Sequence, residues 1–499
     1  MSPKTKYLSK VRLIMMLATL IATAVLLASP RQASAEVTFS GPTEFPGAGG
    51  PFMQTVVTGD LNGDSHLDLV AVDRDSSLLC VFFGNGTGNF SSRIDLPVLI
   101  SPHDVSIADF NHDAHLDLAV IHGGFDGGTP FVSIFLGDGA GGFGPRTDFM
   151  AERGMTSIKT DDLNGDSHLD LVIGTENGSK LVVLFGDGVG GFSGKTILAA
   201  GTHPMSVAVG DINRDGNLDI VTANLVSDDI AVLFGDGSGS FPMRQTIISP
   251  SEAPIRVALG DLNNDQNPDI LVTTTTQLAV FVSKGDGTFF PPTITNITGA
   301  GEKPFTVADF NADGNLDVFV THPGLQQLLL FVGAGDGSLA QEMAVTIDSR
   351  GPRDPIAGDF NEDGLLDVAF ATQFPGKVAV FLQQTLLLVT IDIQPGSDMN
   401  SIRPGGKGKI SVAILSTDNF DATTVDPTTV LFGSTGTETA PVHSAMEDVD
   451  RDGDLDLILQ FNTQATGIQC GNTSASLNGK TFSGQPIRGS DSLRTAGCK

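Results

Sequence analysis

Apolar residues recur along this chain in short runs, each cut off by glycine, asparagine or aspartate. Residues 206–209 form one run, followed by a polar stretch of eight residues and a second run at 218–221. A variable turn, a third run at 230–234, the glycine-rich turn GDGSG from Gly235 and a fourth run from Phe241 complete the unit. Runs this short, bounded by turn residues, predict β-strands. Helical periodicity is absent from residue 36 onwards. Four short strands per repeat, evenly spaced, predict an all-β chain in which each repeat is one blade of a propeller.

The polar stretch between the first two runs carries the candidate chemistry. In DINRDGNLD, from Asp211, oxygen side chains stand at positions 1, 3, 5 and 9. Such a loop can wrap one hard cation. Asp211, Asn213 and Asp215 would give one oxygen each, Asn217 a backbone carbonyl and Asp219 a bidentate carboxylate, a set that Ca²⁺ accepts. Gly216, at position 6, permits the sharp turn because glycine tolerates positive φ. An EF-hand would need a glutamate at position 12, where Thr222 stands, and here the loop leads into a strand.

Six further copies share the register, at intervals of 49, 53, 49, 50, 48 and 50 residues between successive starts. Their expected ligands are Asp60, Asn62, Asp64 and Asp68; Asp109, Asn111, Asp113 and Asp117; Asp162, Asn164, Asp166 and Asp170. The set continues with Asp261, Asn263, Asp265 and Asp269; Asp309, Asn311, Asp313 and Asp317; Asp359, Asn361, Asp363 and Asp367. An eighth copy offers Asp448, Asp450, Asp452 and Asp456, with Gly453 at position 6. It starts 89 residues after the seventh and so belongs to a separate unit. Four carboxylates make it the expected tightest site.

The glycine-rich turns recur as GNGTGNF, GDGAGGF, GDGVGGF, GDGSGSF, GDGTF and GDGSL. A phosphate-binding loop needs a helix N-terminus after the glycines. Here a strand follows, so these are hairpin turns whose phenylalanine is expected between neighbouring blades. The seventh repeat lacks this turn. The segment VTFSGP from Val37 is expected to serve as its fourth strand and close the ring, which removes exposed sheet edges.

The DxNxDGxxDL loop followed by LFGDGxGxF resembles the FG-GAP/VCBS repeat, the unit of the integrin α-subunit propeller and of many secreted bacterial proteins. The resemblance covers residues 36–384. It implies a seven-bladed β-propeller, its N-terminal strand closing the last blade, with Ca²⁺ in the loop joining the first two strands of each blade. It carries the ligand role onto positions 1, 3, 5 and 9 as named above. The pattern departs at position 6, which is Ser65, Ala114, Ser167 and Gln266 in four copies, and at Pro268 in the fifth. The copies from Asp211, Asp309 and Asp359 fit best. Residues 385–499 resemble a small β-domain at the C-terminal ends of secreted bacterial proteins, expected to be sandwich-like.

Residues 1–35 read as a secretory signal peptide: Lys4, Lys6, Lys10 and Arg12, an apolar stretch over 13–28, then Ala33-Ser-Ala35. No later stretch is apolar enough to span a bilayer. The formal charge of −30 argues against nucleic acid and anionic lipid as partners. Cys80 lies in an apolar run and is expected to be a buried thiol; Cys470 and Cys498 can pair after export, and spacing leaves this open.

No catalytic motif is evident. His66, His115 and His168 fall at loop position 7 and are expected to face solvent, with His103, His203 and His322 in turns at the other end of the blades. The chain has no Trp, and its single Tyr lies in the leader. Together these features suggest a secreted, calcium-binding, non-enzymatic adhesion or protein-interaction module. The alternative is a carbohydrate-binding or polysaccharide-degrading propeller. In either case the partner, an extracellular protein or glycan, is expected on the face opposite the cation loops, where turns vary.

Overall fold

The computed structural model describes residues 37–498 except 124–128, 251, 300, 349, 398 and 418, so the expected leader and part of the 122–130 turn lie outside the described residues. Regular structure here is strand, with short 3-10 turns at Ala422–Thr424 and Thr463–Ala465.

Seven four-stranded antiparallel sheets follow one another between residues 43 and 381. The fourth is typical: Pro204–Gly210, Asp219–Asn224, Asp229–Phe234 and Met243–Ile248 pair in sequence order. Its two middle strands are buried along their whole length, because each face of the sheet packs on a neighbouring sheet. The outer strand of the third sheet, Phe192–Ala199, instead alternates half-buried and exposed. The core is therefore divided among the inter-sheet spaces. One cluster joins Val172, Leu181 and Val183 of the third sheet to Val207, Ile220 and Leu233 of the fourth.

The innermost strands are Met53–Gly59, Pro102–Ala108, Met155–Asp161, Pro204–Gly210, Arg256–Gly260, Phe305–Ala308 and Arg353–Gly358. Each contacts the next, and the last contacts the first, so the array closes on itself. The seventh sheet is completed from the N-terminus, but in a different register from the expected one. Thr43–Pro46 pairs with Lys377–Phe381 as the fourth strand, whereas Val37–Phe39 pairs with Gln383–Thr385 beyond it. Gly41 and Pro42 between them interrupt a single long ladder. Phe90, from the first glycine-rich turn, packs between Phe45 and Phe360 of the seventh sheet, with ring centroids at 5.4 and 5.7 Å.

Residues 387–492 form two further four-stranded sheets, and Ser401–Ile402 pairs separately with Arg494–Thr495. Both contribute to one core, in which Phe432 and Phe461 lie 5.0 Å apart with Ile393 and Leu477 around them. Cys470 and Cys498 are disulfide-bonded, and Cys80 is a buried free thiol.

Candidate metal centres

All seven sheet loops adopt the same conformation, fixed by their own carboxylates. The position 1 aspartate accepts the peptide N–H of position 6 through Oδ2 at 2.7–2.9 Å. The Asn Oδ1 at position 3 accepts the N–H of position 5. The position 5 carboxylate accepts the N–H of position 7. Oxygen atoms of three side chains are thus held around one turn.

Position 6 has positive φ whether or not it is glycine: 71° at Ser65, 68° at Ala114 and Ser167, and 66° at Gln266, against 84–87° at Gly216, Gly314 and Gly364. The loop's hydrogen bonds therefore hold four non-glycine residues in the left-handed region. Position 4 is left-handed as well, including His112, Arg214, Asn264, Ala312 and Glu362. Sequence reasoning singled out only position 6.

Position 9 does something the sequence reading missed. Asp68, Asp117, Asp170, Asp219, Asp269, Asp317 and Asp367 are all fully buried. In each, Oδ2 accepts the N–H of position 2, and Oδ1 accepts an N–H from the end of the third strand. At Asp219 these are Ile212 N and Gly235 N, both at 2.9 Å. Gly235 opens the glycine-rich turn, so this carboxylate ties the two turns at that end of the sheet together. A Cβ at Gly235 would meet the Leu218 carbonyl oxygen at 2.2 Å, which explains the glycine there. In the fifth and seventh sheets Ser283 and Gln383 donate instead. A glycine recurs at the donor position in five sheets, Gly84, Gly137, Gly186, Gly235 and Gly333, and opens a GDG in three of them; that recurrence was the available signal. Bidentate cation binding by position 9 has to share oxygens already engaged by two peptide donors.

Burial is the main force on these carboxylates. It pushes Asp68, Asp170, Asp219, Asp269 and Asp317 up to about 6 and Asp367 to about 7, despite the opposing N–H bonds. Asp117 moves in the same direction.

The eighth loop differs. Asp456 repeats the clamp, accepting Val449 N and Ser416 N at 2.9 Å. Among the described residues, only here do three acidic side chains, Asp448, Asp450 and Asp456, bring ligand atoms within 4.8 Å of one another. That span is about twice a Ca²⁺–oxygen distance. Asp452 instead accepts Asp454 N at 2.9 Å.

The histidines need correction. His66 Nδ1 is hydrogen-bonded to Glu362 rather than free in solvent. The His112 and His168 rings of adjacent sheets lie 5.4 Å apart. Cβ atoms on Gly139 and Gly188 would strike the His115 and His168 rings, so those imidazoles cover the glycine turns while staying partly exposed. His103 and His322 belong to strands Pro102–Ala108 and Asp317–His322, not to turns.

Closed-ring connectivity, sheet order and recurrent aspartate loops define an all-β repeat protein of the propeller class. The FG-GAP-like repeat profile matches residues 60–120, 162–222, 261–320 and 309–370, and the chain is an FG-GAP repeat protein. No curated protein matches the chain. Among solved structures, an Agrocybe aegerita lectin, described by its specific recognition of non-reducing terminal N-acetylglucosamine, aligns at 19% identity and a TM-score of 0.46. The alignment covers 59% of this chain and 81% of that one.

Proposed function

We propose that this protein is a calcium-stabilised, non-enzymatic interaction module that mediates adhesion outside the cell. Support for calcium comes from the donor set. Hard carboxylate and amide oxygens converge in every loop, and the eighth gathers three carboxylates in a space of the right span. Bound Ca²⁺ would supply charge neutralisation at one end of every sheet. The aspartates at positions 1 and 5, the asparagine at position 3 and, in the eighth loop, Asp448, Asp450 and Asp456 would hold it.

The observation that carries the interaction reading lies at the opposite end of the sheets. There, on turns and strand connections, Ile100, Val226 and Phe374 stand 64%, 59% and 57% exposed, with Leu325 beside them in the series. Exposed apolar groups on loops of a rigid scaffold are what protein docking uses.

Beads coated with the purified full-length protein should adhere to cell or matrix surfaces in calcium. Adhesion should fall in chelator, and also in a Val226→Asp/Leu325→Asp variant whose calcium stoichiometry, measured by titration calorimetry, is unchanged. Specific binding on a glycan array, or turnover of a polysaccharide, would replace this reading with the carbohydrate-active one.

A further inference from the structure

The seven innermost strands surround an axial channel of about 450 Å³, within the range of small-ligand pockets. Each of these strands pairs on one side only, so its other edge offers unpaired backbone groups toward the axis. Side chains at one register, five residues ahead of the loops, reach the channel: Thr55, Asp104, Ser157, Ser206, Arg256 and Asp354. Two residues further along, Lys159 and Thr306 do the same.

The charges fall into two groups. Arg256, in the fifth sheet, reaches past the sixth, where Pro304 holds that register, and binds Asp354 of the seventh at 2.7 Å. Arg353 is likewise paired, with Glu302 at 2.8 Å. Asp104 and Lys159, on the adjacent second and third sheets, form no ion pair among the described residues. Asp104 accepts only peptide donors, Val105 N at 2.9 Å and Ile158 N at 3.1 Å. Burial pushes its carboxyl up to about 6, and Lys159 is the largest charge acting against that. The channel wall thus presents a carboxylate and an exposed ammonium that act on each other electrostatically without a direct ion pair, flanked by hydroxyls.

A simple anion entering the channel meets Asp104 and Asp354; a simple cation meets Lys159 and Arg256. A molecule carrying both charges can bridge Asp104 and Lys159 at once, without breaking the Arg256–Asp354 pair. We infer that the axial channel is a binding site for a small zwitterion of amino-acid size, its ammonium on Asp104 and its carboxylate on Lys159, with Ser157 and Ser206 as hydrogen-bonding neighbours. This site is separate from the cation loops and does not depend on their occupancy.

Calorimetry of the calcium-saturated full-length protein with glycine, L-alanine and L-glutamine tests this, using acetate and methylamine as single-charge probes. At least one zwitterion should give saturable heat at concentrations where both single-charge probes give none. Lys159→Met and Asp104→Asn should each weaken that binding about tenfold or more, the effect of losing one charge contact, with calcium stoichiometry and circular dichroism unchanged. If Asp104→Asn does not fold, Lys159→Met decides alone, since its ammonium has no ion pair to lose. Absence of binding by all three zwitterions, equal binding by acetate or methylamine, or wild-type affinity in Lys159→Met overturns the inference.

Discussion

Glu362 of the seventh sheet and His66 of the first are hydrogen-bonded across the junction where the two ends of the repeat array meet. They occupy positions 4 and 7 of their loops. The same pair of positions is in contact at three other junctions: His112 with His168, Arg214 with Asn267 at 3.0 Å, and Asn264 with Asn315 at 2.7 Å. Left-handed backbone at position 4 is what aims each of these side chains at the following loop.

The Glu362 contact is the main cause raising the imidazole pKa of His66 above its ordinary value. Glu362→Ala should therefore lower the His66 midpoint in an NMR titration. The pair's contribution is present at low pH and lost as pH rises through the folded value. An unchanged midpoint would mean that the two groups do not meet in solution.

Positions 5 and 9 of one loop should separate cleanly. Asp219→Ala leaves two buried peptide donors, Ile212 N and Gly235 N, without an acceptor, at about 2–5 kcal/mol even in chelator. Asp215→Ala removes an exposed carboxylate and should cost little in chelator while abolishing one calcium equivalent. Chemical denaturation with and without calcium reads both. Equal losses in chelator would contradict the clamp.

Ala114 holds φ at 68° with no side-chain hydrogen bond to lose. Ala114→Gly should stabilise the calcium-free protein by roughly 0.5–1 kcal/mol, relief of left-handed strain partly offset by unfolded-state entropy. A denaturation midpoint that falls would place the strain elsewhere.

The buried position 9 aspartates set a pH dependence whose sign turns on calcium. Six of them have folded values of about 6 to 7, above the ordinary 3.8, and Asp117 moves in the same direction, so their contribution is fully present below about 4 and is lost as pH rises through the folded values. His103 and His122 are displaced by burial to about 4 and work in the opposite direction below 6.5. His322 is lowered by burial as well, and seven carboxylates outweigh these three imidazoles. In chelator the melting temperature should rise as pH falls from 7 to 5. In calcium, which favours the ionised loops, it should fall over the same interval.

Reduction of Cys470–Cys498 should destabilise the C-terminal sheets. The bridge closes a separation of 28 residues, which in the chain-entropy view contributes about 3–4 kcal/mol. Thiol titration of the unfolded, unreduced chain should find one reactive group, Cys80.

Strand runs, turn glycines and the oxygen spacing of each loop are local properties, so the repeat, its all-β class and the candidate ligands were legible residue by residue in the sequence. The period of about fifty residues made the ring an expectation for the same reason. What no local pattern contains is which atoms meet across sheets. That Thr43–Pro46 rather than Val37–Phe39 completes the seventh sheet depends on where the ring's ends arrive. Two other features are long-range in the same way. The position 9 carboxylate engages a turn fourteen to twenty residues away, and Asp104 and Lys159 share a channel only because seven sheets converge on one axis. Sequence spacing fixes what a residue can offer; burial and closure, which need the whole chain, decide what receives it.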